Sequence, residues 1–85
     1  MPYIKQEDRD KYSREWPDTI DSAGELNYLL TSLICTYMDD KVNNYACFNA
    51  VVGALESCKL EFYRRVVAHY EDKKILENGD VYEIR

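Results

Sequence analysis

The chain has 85 residues, three cysteines, and eleven basic against sixteen acidic side chains, a formal charge of −5. That length supports one core and excludes a second domain, and the acidic balance excludes non-specific nucleic-acid binding, which rests on positive charge. No window approaches the roughly 18 consecutive apolar residues of a membrane span, and the charged opening lacks the apolar stretch of a secretory signal, so a cytoplasmic protein is expected.

So short a chain buries only about 60–65% of its unfolded surface, which leaves a thin stability margin without reinforcement. Disulfides do not supply it. Cys35, Cys47 and Cys58 are odd in number and include no C-x-x-C pair. Cys47 and Cys58 fall on one predicted helix with roughly 16 Å of rise between them, too far to bond. Reduced, buried thiols are the expectation.

Three glycines and two prolines leave few places to turn, and the apolar residues keep helical spacing throughout, so the fold class is all-α. Residues 1–20 form a polar arm with a short helix predicted around Lys5–Arg14; Pro17 bars a helix from running through it. Trp16 is expected to pack on the main helices. Ser22-Ala23-Gly24-Glu25 is a capping box. Leu26, Leu29, Leu30, Leu33, Ile34, Tyr37 and Met38 then make a full amphipathic stripe that ends near Asp39-Asp40.

After Val42-Asn43-Asn44, either asparagine can cap the next helix. Its pattern runs through Phe48, Val51, Val52, Leu55, Phe62, Val66, Val67 and Tyr70, and Asn78-Gly79 is a left-handed helix stop. Some thirty helical residues measure roughly 45–50 Å, with a bend allowed near Ala68-His69. The tail, residues 79–85, alternates and reads as extended, with Pro2-Tyr3-Ile4 as a pairing partner. The architecture is therefore a single helical domain: an antiparallel hairpin of about 22–40 and 44–78, a short N-terminal helix and an extended C-terminal tail. The first long helix covers about half of the second. An uncovered apolar stripe of that kind is usually a protein interface, so a homo-oligomer is expected, a dimer with a four-helix core or a higher ring.

The residues that carry chemistry are sparse. His69 is the only histidine, and there is no HExxH, CxxC pair or glycine-rich phosphate loop, so no metal, cofactor or catalytic residue is expected. Glu25 heads its helix alone, and Glu56 and Glu61 fall on different faces, which does not make a carboxylate metal site. Asn49, Gly53, Glu56, Leu60 and Tyr63 share one face. Gly53 costs about 1 kcal/mol against alanine in a helix interior and marks a close approach. That approach is either a helix crossing, with Asn49 and Glu56 bonded across to Asn27 or Tyr28, or a ligand pocket. Lys59, Tyr63, Arg64 and Arg65 put forked anion donors beside a flat stacking surface, as a nucleotide requires. Ordinary helix pairing, with Glu61 to Arg65 and Lys59 near Glu56, is the favoured explanation of them. The candidate ligand-binding residues are Asn49, Glu56, Lys59, Tyr63, Arg64, Arg65 and Tyr70. Eight tyrosines favour a recognition role.

Tyr45–Tyr82, with its YRRVVA, YEDKK and NGDVY strings, the opening MPYIKQEDRDK, and GELNY at Gly24–Tyr28 together resemble a family of small uncharacterised proteins. These are encoded by bacteriophages and prophage-bearing bacterial genomes. His69 stands where the resemblance leads one to expect proline, which puts any kink there in question. The family supplies no catalytic residues, so the resemblance implies a setting: the host bacterial cytoplasm. The functional expectation is a non-enzymatic phage accessory protein that counters host defence by sequestering a small anionic nucleotide between subunits. Arg64 and Arg65 would hold phosphate, with Tyr63 or Tyr70 stacking on base. The alternative is a module that binds and inhibits a host protein, or a structural or assembly protein.

Overall fold

The computed structural model describes residues 2–10 and 17–83, and it is all-α. Trp16 and the second half of the expected Lys5–Arg14 helix lie outside the described residues. The first half is a single turn, α1 (Gln6–Arg9), held by the Arg9 Nε–H donating to the Ile4 carbonyl at 2.7 Å.

The hairpin follows. Helix α2 (Ala23–Met38) starts at Ser22, whose Oγ accepts from the Glu25 backbone N–H at 3.1 Å. A serine cap of this kind satisfies one of the four orphan donors of the first turn. The last turn of α2 has no basic residue of its own. Lys41, just beyond it, supplies the cation: its Nζ donates to the Tyr37 carbonyl at 3.2 Å and lies 4.4 Å above the Tyr37 ring. Of the two candidate caps for the next helix, Asn44 takes the role, accepting from the Cys47 N–H at 2.9 Å. Helix α3 (Tyr45–Phe62) follows.

The long helix does not run on as uninterrupted α-helix. Tyr63–Val67 form one π turn, closed by the Ala68 N–H donating to the Tyr63 carbonyl five residues back. Helix α4 (Ala68–Asn78) completes the rod. Together these segments have 34 residues, about 51 Å at 1.5 Å per residue, and the chain's longest dimension is 50 Å. The 16 residues of α2 give about 24 Å, half of that.

Gly79 ends α4 with φ 89° and ψ 150°. The positive φ favours glycine as expected, but this ψ lies well outside the left-handed helical region. The described residues contain no strand, so the expected pairing of the tail with Pro2–Ile4 does not form. Instead Asp80 Oδ1 accepts from the Tyr82 N–H at 2.9 Å, an Asx turn. Val81 and Tyr82 thereby join α4 and Tyr63 around a shallow groove.

Packing is sparse. No described residue is buried; Leu29, Ile34, Met38, Cys47 and Val51 are half-buried, and the thiols of Cys35 and Cys58 are exposed in the single chain. The radius of gyration is 17.4 Å, against about 12 Å for a compact domain of this length. The accessible surface is 8047 Å², against about 5,200 Å² for a compact monomer of 10.0 kDa. No helix among the described residues is long and apolar enough to cross a membrane.

Candidate binding site

The amphipathic stripes of α2 and α3 face one another across an open groove of about 360 Å³. Leu30, Leu33, Ile34 and Tyr37 line it from α2; Ala50, Val51, Ala54, Leu55 and Cys58 line it from α3. The larger members come from the two stripes. Ala50 and Ala54, one helical turn apart, are the members that the sequence pattern did not mark. Their small side chains let the α2 residues sit opposite α3 without interlocking. Nothing polar in the lining makes an ion pair, so the groove offers dispersion contact and release of water, not charge recognition.

The groove opens onto a wider apolar face. Leu26, Leu30, Leu33 and Tyr37 on α2 are spaced four, three and four residues apart. Phe48, Val52, Leu55, Phe62 and Val66 repeat the same rhythm along α3 and into the π turn. The mean steps, about 3.7 residues on α2 and about 3.6 along α3, are those of an ordinary α-helix with one apolar face. All nine are exposed; Leu33 is 58% and Val52 63% accessible.

The seven residues marked as ligand candidates are not gathered into one cavity of the single chain. Asn49 is exposed on α3. A Cβ added at Gly53 would meet nothing within 4 Å, so no helix of the same chain crosses there. Glu56 pairs with Lys59 at 3.2 Å, as helical spacing predicts. Tyr63 lines the groove formed by α4 and the tail, beside Glu71, Asp72 and Asp80. Tyr70 lies under Lys74, with Nζ 5.4 Å from the ring centroid.

The arginines divide. Glu61 pairs with Arg64, one helical turn away, rather than with the expected Arg65. A third member completes this cluster: the Tyr3 hydroxyl donates to Glu61 Oε1 at 3.0 Å, tying the N-terminal arm to the end of α3. The Arg64 guanidinium, then the Tyr3 hydroxyl, hold the Glu61 carboxyl below its ordinary range, and Glu61 in turn raises Arg64. Arg65 makes no hydrogen bond or ion pair among the described residues and acts on Glu61 only through space. Among the described residues no three of His, Cys, Asp and Glu come together as a metal site would require.

Comparison with known proteins adds one family. The Domain of unknown function (DUF6899) matches residues 1–81. No curated protein and no solved structure matches.

Proposed function

Since this chain belongs to the DUF6899 family, whose description assigns no activity, we propose a function from its own geometry: a non-enzymatic helical module that binds another protein through the α2–α3 face. The observation that carries this reading is the groove itself. A helix of 16 residues, about 24 Å long, shares a groove with α3, yet the apolar lining between them stays open and no described residue is buried. Continuous apolar faces larger than a few hundred Å² are uncommon on monomers and usually mark an interaction surface. The phage resemblance supplies the setting, a host cytoplasm in which the partner is a host or phage protein. Affinity capture with the purified chain and with Val52→Glu tests it. A stoichiometric protein retained by the first and lost by the second supports the reading; equal retention by both sinks it.

Nucleotide sequestration is the second reading, and Arg65 is the observation that favours it. This guanidinium is exposed, makes no ion pair among the described residues, and stands next to Arg64 and two positions from Tyr63. Against it, Arg64 and Lys59 each already have a carboxylate partner. A nucleotide site would need a second chain to bring more positive charge. Incubation with lysate from defence-active cells, washing, denaturation and mass spectrometry of the released small molecules decide it. An Arg65→Ala protein should then release none, and a wild-type protein that releases none removes the nucleotide.

A further inference from the structure

We infer that the occupant of the α2–α3 face is a second copy of this chain, with two hairpins closing into a four-helix core. The inference rests on the reading that this face is a binding face, and adds who binds it. Area is the first argument. The chain exposes 8047 Å², about 2,800 Å² more than a compact monomer of its mass. Obligate homodimers remove about 1,000–2,500 Å² or more per partner, so the surplus is large enough for a full obligate interface and exceeds the roughly 800 Å² per side of a standard transient one. With no buried residue among those described and 46% of the chain apolar, the described helices have no core to hold them until such an interface forms. Helices of 16 and 18 residues are marginal on their own in water.

Pattern is the second argument, and it selects the partner. The exposed stripes on α2 and α3 each run along one side of an α-helix, so a surface that fits them is a pair of helices with a like apolar face. A second copy presents that pair. A two-fold axis through the open side of the groove places each copy's Leu33 and Val52 against the other's, a self-complementary contact of the kind that closes dimers. Charge does not oppose it. The one charge in line with the α3 stripe, Lys59, is paired with Glu56, and the acidic residues of α4 lie beyond the end of α2.

The test is the mass in solution and its dependence on Val52. Purified chain is run by light scattering at about 1 to 100 µM, with far-ultraviolet circular dichroism and thermal melting over the same range. The expected result is a helical dimer or larger closed assembly whose melting temperature rises with concentration. Val52→Glu should lower the mass to one chain or abolish helicity, and Val42→Glu, outside both stripes, should leave mass and melting unchanged. A helical monomer with concentration-independent melting overturns self-association. In that case an apolar dye bound by wild type and not by Val52→Glu leaves the heterologous-partner reading standing, whereas no dye binding ends both. Val52→Glu retaining wild-type mass also overturns the proposal. If that variant is unfolded, the wild-type concentration dependence decides alone.

Discussion

Gly53→Ala has a sign that the structure decides. Glycine in a helix interior costs about 0.5–1 kcal/mol relative to alanine, because more backbone freedom is lost on folding. A Cβ at position 53 meets no atom of the chain within 4 Å, so no steric penalty offsets that gain. The groove is lined by Ala50, Val51, Ala54, Leu55 and Cys58, and at about 100° per residue Gly53 falls on the far side of α3 from their centre. The groove lining is therefore not the side of α3 that receives the new methyl group. The variant should be more stable by about 0.5–1 kcal/mol, which for a domain of this size is roughly 2–8 °C in melting temperature. Melting by circular dichroism at one fixed protein concentration reads it, since assembly also moves the midpoint. A lower melting temperature would refute the reasoning. It would mean that another molecule's backbone packs against Gly53, and the line Asn49, Gly53, Glu56 would then be a binding surface.

The two helix caps should each be worth about 1 kcal/mol. Ser22→Ala removes the acceptor for the Glu25 N–H, and Asn44→Ala that for the Cys47 N–H. Each should lower the melting temperature by roughly 4–8 °C, and Thr19→Ala, exposed and outside every helix, serves as the control. Glu61 has a depressed carboxyl pKa, held first by Arg64 and then by Tyr3. Its contribution is complete above the ordinary carboxylate range and is lost as pH falls through the lowered value. Tyr3→Phe should move the Glu61 titration, followed by NMR, part of the way back up, and an unchanged titration would remove the Tyr3 contact. Thiol labelling reports on the assembled face: Cys58 lines the groove, whereas Cys35 is exposed away from it. At high concentration Cys58 should react several-fold more slowly than Cys35, and dilution should close the gap; equal rates at every concentration would place the groove in open water.

The legible parts of this fold are those set by local chemistry. Ser22 and Asn44 announce their helices because capping acts over three residues, and the apolar stripes announce theirs because a 3.6-residue period is printed in the sequence. The half-length of α2 relative to the rod followed from counting between caps. What escaped the sequence acts either at long range or through backbone geometry. Tyr3 reaches Glu61 across 58 positions, and no periodicity joins an arm to a helix so far away. Glu61 selects Arg64 over Arg65 because of a side-chain rotamer, while helical spacing permits both. The Asx turn at Asp80 outcompeted a strand that alternation alone suggested, because an edge pairing needs a partner strand and the arm's Tyr3 is engaged at Glu61.

The π turn changes what the length mismatch means. A π turn holds one residue more than the α turn it replaces, and so rotates everything beyond it by about 100° relative to an unbroken helix. The stripe of Phe48, Val52, Leu55, Phe62 and Val66 thus cannot continue in line along α4. The groove that α2 shares with α3 reaches Cys58, and the Tyr3–Glu61–Arg64 cluster sits beyond it, at the junction with the π turn. The α4 segment then turns its own face to Val81 and Tyr82, which fold beside it with Tyr63. The rod is two units in series: α3, whose stripe α2 leaves half-covered for a partner, and α4, which the tail partly closes. On this division a second chain need match only the 16 residues of α2 and the 18 of α3, and the extra length of the rod does not have to be covered for the hairpin to assemble.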